Sequence, residues 1–412
     1  KVTGCANRAA VSSDKLQVTR IGGIVGTHNA STIDDCSNSG DITLAYTATA
    51  NNWEAAGGIV GFYDGTDGTA VTNGCTNSGK VWATVNSSNA NIGAGGIAGI
   101  IKSGNATNNT NDGAVWMHNA QAGKSSYAGG IVGCLNAGGF DRPADGVFPD
   151  SRLKTGVNLA AYLRTQGHED AAQALSDEPG ADTLRVSIVG GIVGVNGKNH
   201  VIDRCASRGT MNGLDAMGGV VGLNEGLITD CTLSGSMGSA TQDYIGGIAG
   251  LNVGTLENCT AGKNCTVTGR TAVGGIVGFN LSGGQVQNCT GSANVSGAGR
   301  VGGIAGENGG EIVLSSAKAG ARRVTGSGSG VGGVIGVNTA DGTLRAANGS
   351  AQGDVIGADS ELTVRGGSKV GGIAGINRGT LGGVSGSCLT SQAAEVRAES
   401  GLAGGIAGAQ EG

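Results

Sequence analysis

The chain repeats one five-residue phrase twelve times: two glycines, an Ile or Val, a second apolar residue and a third glycine. The copies begin at Gly22, Gly57, Gly95, Gly129, Gly190, Gly218, Gly246, Gly274, Gly302, Gly332, Gly371 and Gly404. From Gly190 to Gly302 the spacing is 28 residues four times in succession. A fixed period of this length is typical of stacked repeats, in which one unit cannot bury its apolar face alone. The period therefore predicts an array of coils.

The repeat that runs from Gly246 to Val273 illustrates the expected coil. Three strand-like runs, Gly247–Asn252, Thr255–Cys259 and Cys265–Thr268, are separated by turns that contain Gly or Asn. Three short strands in about 28 residues predict one turn of a three-sided parallel β-solenoid. Parallel crossovers are almost always right-handed. We expect an all-β chain, folded as a right-handed parallel β-solenoid.

The spacing breaks once, with 61 residues between Gly129 and Gly190. All three prolines lie in this excess, and residues 157–178 have apolar residues at roughly helical spacing around Gly167. We predict one helical insertion, as one helix or two short ones, which serves either as a binding loop or as a cap. The predicted organisation is solenoid coils with long loops at 1–138, the partly helical insertion at 139–182, and regular coils at 183–412.

An asparagine follows most copies of the phrase, six residues after the first glycine. It occurs as Asn196, Asn224, Asn252, Asn280, Asn308, Asn338 and Asn377. Stacked asparagines form amide ladders between coils, and a single Asn also tolerates left-handed backbone at a turn. The pattern favours a structural ladder over the alternative, a polar groove that binds sugar.

Cysteines recur in the second predicted strand. Four of them belong to the regular part of the array, namely Cys205, Cys231, Cys259 and Cys289. They are interpreted as buried thiols, because free Cys is among the most buried residue types. Disulfides between adjacent coils are the alternative, with Cys265 as the residue most suited to pair with Cys259. Metal ligation is disfavoured, since no CxxC pair or nearby His gives zinc spacing.

Two further features bear on binding. Positions three and four of the phrase are both apolar, as in Ile248-Ala249, although a strand alternates its faces. Either this is a tolerable solvated face, or the face packs against another copy, an inserted element or a partner. Most aromatic residues lie in the first third of the chain, which predicts that this end contacts a ligand. They include Tyr46, Trp53, Phe62, Tyr63, Trp82 and Trp116.

Composition excludes several classes of protein. A net charge of −5 disfavours nucleic acid as a partner. No apolar run is long enough to span a membrane. The four histidines occupy unrelated places in the repeat, and HExxH, GxSxG and P-loop motifs are missing. We therefore expect no enzyme activity, no catalytic residues, no cofactor and no bound metal.

The phrase with its asparagine, as in Gly190–Asn196 and Gly274–Asn280, resembles the GLUG repeat. An Ile/Val-x-x-Cys element follows it, for example at Ile202–Cys205. The resemblance implies a secreted or surface-attached bacterial protein, because GLUG repeats occur in adhesins and in non-catalytic regions of IgA-specific metallopeptidases. Both ends of the sequence resemble the interior of a repeat, so we expect any export signal or wall anchor to lie outside it.

We therefore expect an extracellular, non-catalytic stalk or adhesin that presents loops to a host or cell-surface glycan or protein. A self-assembling fibre or surface-layer subunit is one alternative, in which open coils join end to end. A scaffold region of a large surface peptidase is another.

Overall fold

The computed structural model describes most of the repeat array and little of the predicted insertion. The described residues are 1–13, 19–29, 32–47, 53–64, 70–86, 91–102, 105–119, 126–130, 132–135, 157–158, 168–170, 185–186, 188–207, 211, 215–314, 323–346, 362–382, 391 and 393–411. These residues fold as a parallel β-solenoid, in which each strand pairs with the equivalent strand of the next repeat. The predicted fold class is therefore confirmed.

A coil contains five short strands rather than the three expected. In the specimen repeat they are Ala249–Asn252, Thr255–Glu257, Thr260–Ala261, Thr266–Thr268 and Thr271–Gly274. The glycine phrase is split between two of them, because its first glycine ends one strand and its fourth residue begins the next. The phrase is therefore a corner. The strands that end at this corner form sheet I, and the following strands form sheets II to V in chain order.

The chain divides into two compact units, of which unit 1 comprises Lys1–Gly209 and Val220–Leu227. Sheet I there contains Arg20–Gly22, Trp53–Gly57, Asn91–Gly95, Ser126–Gly129 and Ile188–Gly190. Sheet II contains Val25–His28, Val60–Tyr63, Ala98–Ile101, Val132–Leu135, Val193–Asn196 and Val221–Asn224. Sheet III contains Val2–Thr3, Ile33–Asp34, Ala70–Asn73, Asn105–Thr107 and Val201–Asp203. Sheet IV contains Ala6–Asn7, Ser37–Asn38, Thr76–Asn77, Thr110–Asn111 and Ala206–Ser207, and sheet V contains Val11–Ser13, Ile42–Thr47, Val81–Asn86 and Val115–Asn119.

Unit 2 comprises Thr210–Gly219 and Ile228–Gly412, and the strand Leu227–Thr229 begins one residue before its second part. Sheet I contains Met217–Gly218, Asp243–Gly246, Thr271–Gly274, Gly299–Gly302, Ser329–Gly332, Ser368–Gly371 and Ala403–Gly404. Sheet II contains Ala249–Asn252, Val277–Asn280, Ala305–Asn308, Ile335–Asn338, Ala374–Asn377 and Ala407–Gln410. Sheet III contains Thr255–Glu257, Gln285–Gln287, Glu311–Leu314, Thr343–Ala346 and Thr380–Gly382. Sheet IV contains Thr232–Leu233, Thr260–Ala261 and Thr290–Gly291, and sheet V contains Thr266–Thr268, Asn294–Gly297, Arg323–Gly326, Thr363–Gly366 and Glu395–Ala398.

Two glycines of the phrase are required by close backbone approach at the corner. A Cβ on Gly274, which ends a sheet I strand, would collide with the carbonyl oxygen of Val277. A Cβ on Gly278, the third glycine, would meet the backbone of Tyr244 and Ile245 on sheet I of the preceding coil. Equivalent glycines pair in register, as Gly274 does with Gly302. The phrase therefore fixes both the corner and the register of the stack.

The corner also explains why two neighbouring positions of the phrase are apolar. Ile276 lies at the turn and Val277 opens the next strand, so the two side chains are not opposite faces of one strand. Both are 0% exposed within the chain itself. No second copy or partner is needed to cover them, which removes the argument for a docking face at this position.

The predicted helical insertion is not shown. Of residues 139–182, only Val157–Asn158 and residues 168–170 are described. Val157–Asn158 pairs antiparallel with Arg185–Val186. His168 Nε2 lies 3.4 Å from a carboxylate oxygen of Glu225 in unit 1. The division into 1–138, 139–182 and 183–412 stays a prediction. Within the described part of the chain, no helix has the length and apolar character needed to cross a membrane.

Candidate functional site

The asparagines that follow the phrase lie at the ends of sheet II strands, with their side chains buried. In unit 2, Asn252 Nδ2 donates to Asn280 Oδ1 at 2.8 Å, and the same contact continues to Asn308, Asn338 and Asn377 at 2.8–2.9 Å. Asn377 donates in turn to Gln410 Oε1 at 2.7 Å. In unit 1, Asn196 donates to Asn224 at 2.8 Å.

From Asn224 to Asn377, each amide of this ladder also holds the turn that follows it. Asn280 Nδ2 lies 3.2 Å from the carbonyl oxygen of Gly284 in its own coil and 3.4 Å from that of Glu311 in the next coil. The amide hydrogens of Asn280 are therefore used in hydrogen bonds within the stack and are not available to a ligand. The side chain is enclosed as well, so the arrangement does not provide an open sugar-binding groove at these residues.

A second asparagine ladder, which the sequence reasoning missed, runs along sheet IV of unit 1. Asn7, Asn38, Asn77 and Asn111 are joined by three Nδ2 to Oδ1 hydrogen bonds of 2.7 Å. Each amide also donates to the carbonyl oxygen two residues later, as Asn38 does to Gly40 at 2.7 Å. The signal was present in the sequence, because Cys36–Gly40 and Cys75–Gly79 share the pattern Cys-Ser/Thr-Asn-Ser-Gly.

The cysteines of the predicted ladder lie between sheets III and IV, and all four are buried free thiols in the structure. The thiol of Cys205 donates to the carbonyl oxygen of Asp203 at 3.3 Å, and Cys289 bonds in the same way to Gln287 at 3.4 Å. The backbone N–H of Cys259 points at the sulfur of Cys289, 3.4 Å away. Cys265 lies elsewhere, with its thiol directed at the carbonyl oxygen of Leu233 at 3.3 Å.

The buried cysteines differ in the pKa of their thiols. Burial raises the pKa of Cys75 to about 12 and holds the pKa of Cys289 well above its usual range. Hydrogen bonds with the Cys231 and Cys289 side chains instead hold the pKa of Cys259 well below its usual range. A thiol that remains protonated at neutral pH is a poor nucleophile and a poor metal ligand. Among the described residues, no group of three or more His, Cys, Asp or Glu is placed to hold a metal ion. The buried cysteines between sheets III and IV therefore pack the interior, and Cys75 and Cys289 are poor nucleophiles at neutral pH.

The aromatic residues of the first third of the chain divide into buried and exposed groups. Phe62 and Tyr63 are buried in sheet II, where the Arg20 guanidinium lies 3.9 Å from the centre of the Phe62 ring. Trp82 and Trp116 pair in register on sheet V of unit 1. Their rings stack with centroids 4.1 Å apart and stay 44% and 38% exposed. Only this pair presents large aromatic surface to solvent among the described aromatic side chains.

The comparisons with known proteins agree with the repeat pattern. The family model for the GLUG motif matches residues 18–43. This segment holds the corner after Arg20–Gly22, the sheet II strand Val25–His28 and the first residues of Ile42–Thr47 on sheet V. No curated protein and no solved structure is significantly similar to the chain. The matched phrase recurs twelve times along the chain, so the sequence contains a GLUG motif at residues 18–43 and resembles GLUG-repeat proteins over its repeats.

Proposed function

We propose that this chain is a non-catalytic extracellular repeat protein of the bacterial surface, a rigid stalk with adhesive activity towards a host or cell-surface glycan or protein. The first support for the proposal is the role of the buried asparagine side chains, which hydrogen-bond neighbouring coils to each other. The amide groups of the two asparagine ladders donate hydrogen bonds between coils. Groups committed in this way serve stiffness and register rather than catalysis.

The observation that carries the adhesive part is the exposed Trp82–Trp116 pair. The two stacked indoles on sheet V place a large apolar surface in solvent. Contiguous exposed apolar surface of this kind marks an interaction site. Tryptophan is enriched at binding surfaces because it contributes a large contact area at low cost in side-chain entropy.

The test is binding by the purified chain to arrays of glycans and of extracellular proteins. A Trp82→Thr/Trp116→Thr variant is expected to lose at least about tenfold in affinity, since hot-spot tryptophans contribute roughly 2 kcal/mol or more. Thr43→Ala is the matched control, because Thr43 pairs with Trp82 on the same exposed face. Protease treatment of intact cells that produce the protein tests its location. Protection from protease, or equal binding by all three proteins, would contradict the proposal.

Self-assembly is a second candidate, favoured by one observation in the last described coil. Leu402 and Ile406 are 54% and 41% exposed. The residues equivalent to Ile406 in other coils, such as Ile276 and Ile373, are 0% exposed. A further coil or a second copy of the chain would cover this apolar edge. If copies associate here, Ile406→Asp will abolish a concentration-dependent increase in mass measured by light scattering; a wild-type chain that stays monomeric contradicts self-assembly through this edge.

A further inference from the structure

A shallow groove of about 520 Å³ crosses the solvent-facing side of sheet V in unit 2. The valines at the centres of four neighbouring strands, Val267, Val295, Val324 and Val364, are buried. Because side chains alternate along a strand, the residues on either side of each valine face outward, and all of them except Arg365 line the groove. The groove is therefore a regular surface built on paired strands.

Polar side chains line the groove together with Val295. The lining contains the hydroxyls of Thr266, Thr268, Ser296 and Thr363 with the amide of Asn294. The Thr268 and Ser296 hydroxyl oxygens are 3.2 Å apart, within hydrogen-bond distance across neighbouring strands. The Thr325 hydroxyl also lies here, enclosed and without a hydrogen-bond partner among the described residues. The contacts between coils therefore leave a hydrogen-bonding group of this surface, the Thr325 hydroxyl, unused.

One cation stands in the groove without a described counterion. Arg323 is exposed and pairs in register with Thr363. Several other arginines of unit 2 have acidic partners, as Arg345 has in Glu311 at 2.7 Å and Arg365 in Glu395 at 2.7 Å. Arg323 makes no ion pair with any described residue, so its guanidinium is available to an external anion.

We propose that this groove binds an acidic saccharide, a sugar chain that carries carboxylate or sulfate groups. A guanidinium binds such oxyanions through two parallel hydrogen bonds. Hydroxyl and amide side chains are suited to the sugar hydroxyls, and strands about 4.8 Å apart repeat these groups along the stack. The inference rests on the proposed adhesive function, because an acidic saccharide would be its surface ligand.

The experiment measures binding of the full 412-residue chain to three probes by titration calorimetry. A sulfated glycosaminoglycan oligosaccharide and an oligogalacturonate distinguish sulfate from carboxylate, and a neutral cello-oligosaccharide lacks both. We expect the acidic probes to bind with salt-dependent affinity and the neutral probe to bind at least about tenfold more weakly. Equal binding of all three, or no binding of either acidic probe, would overturn the proposal.

Substitutions locate the site. Arg323→Gln and Ser296→Ala are expected to weaken binding of the acidic probe, the first by about tenfold because a charge-assisted pair is lost. Arg345→Gln removes the same charge from sheet III of unit 2 and is expected to change the affinity less than about twofold. Equal losses in Arg323→Gln and Arg345→Gln indicate non-specific charge attraction and refute the groove. Thermal unfolding of each variant verifies that it is folded.

The two proposals fail separately. If the chain binds the acidic probes through Arg323 but is protected from protease in intact cells, the groove proposal is supported and the adhesive function is contradicted. If a surface-exposed chain binds only through Trp82 and Trp116, the adhesive function is supported and the groove proposal is contradicted.

Discussion

Arg300 Nη1 donates a hydrogen bond of 2.8 Å to the carboxylate of Glu307, which is buried in sheet II of unit 2. Glu307 pairs in register with Phe279 of the preceding coil and with Val337 of the following coil. A charged side chain therefore occupies a position that is apolar in both neighbours. Arg300 has φ of 53°, and its Nε also donates to Thr271 Oγ1 at 2.9 Å.

We expect single and double substitutions of this pair to change the free energy of unfolding by different amounts. Arg300→Ala removes the guanidinium that donates to the buried Glu307 carboxylate, and we expect a loss of about 3 kcal/mol in the free energy of unfolding. Arg300→Ala combined with Glu307→Val recreates the apolar arrangement of the neighbouring coils. We expect the double variant to lie within about 1 kcal/mol of wild type or above it, since apolar replacement of a buried ion pair is often neutral or stabilising.

Denaturant unfolding of both variants, with Arg345→Ala as a control for a more exposed pair, provides the measurement. The half-exposed Arg345–Glu311 pair is expected to contribute less than about 1 kcal/mol. A double variant as unstable as Arg300→Ala would show that the pair itself stabilises the coil.

The asparagine ladder yields a second prediction. Asn280→Ala removes the donor to the buried Asn308 Oδ1 and to the carbonyl oxygens of Gly284 and Glu311, and it also removes the acceptor for Asn252 Nδ2. We expect a loss of roughly 2–3 kcal/mol, because a buried group without a partner incurs its full desolvation penalty. Asn264→Ala, at an exposed turn residue of the same unit, is expected to change stability by less than about 0.5 kcal/mol. Chemical denaturation monitored by circular dichroism compares them, and equal effects would show that the ladder is dispensable.

The period of the glycine phrase predicted the parallel solenoid correctly, because stacked repeats need the same backbone geometry in every coil. The number of strands was wrong, because the short strands Thr260–Ala261 and Thr271–Gly274 were not distinguished from turns. Gly247 and Ile248, which form a corner, were also assigned to a strand that begins only at Ala249. Hydrophobic periodicity alone cannot distinguish these cases.

The candidate site could be predicted from the sequence less well than the fold. Trp82 and Trp116 were noted as aromatic residues of consecutive coils, but their stacking depends on the register between strands. The groove at Arg323 was missed because its residues come from four coils and share no motif. Thr266, Asn294 and Thr363 become neighbours only when the strands stack, and each alone is an ordinary polar residue of an exposed face.

The cysteines predict a sharp difference in chemical reactivity. Cys5 is exposed, whereas burial raises the pKa of Cys75 to about 12. At pH 8 the thiolate fraction of Cys75 is then on the order of 1 in 10,000, so alkylation is negligible until the coil opens. We expect iodoacetamide to modify Cys5 in the native chain and Cys75 only after denaturation, as measured by peptide mass spectrometry. Rapid native modification of Cys75 would show that the interior opens locally or is packed differently.

The last prediction concerns the dependence of stability on pH at Asp215. Burial, and then the nearby Asp243 carboxylate, raise the pKa of Asp215 above its usual value, although its Oδ1 accepts the backbone N–H of Asp243 at 2.8 Å. A raised pKa means that the folded state favours the protonated carboxyl. Its contribution is fully present below the unfolded pKa of about 3.9 and is lost as the pH rises through the higher folded pKa.

Asp215→Asn keeps an oxygen acceptor for the Asp243 N–H but cannot ionise. We therefore expect the variant to gain stability relative to wild type as the pH rises from about 3.5 to 7, with no gain at the acidic end. The difference between the two unfolding free energies across this range is the relevant quantity, because the other carboxyls of the chain titrate alike in both proteins. Asp230→Asn, at an exposed position of the same unit, is the control. A difference for Asp215→Asn that stays constant with pH would mean that the Asp215 carboxylate is accommodated by the fold without penalty.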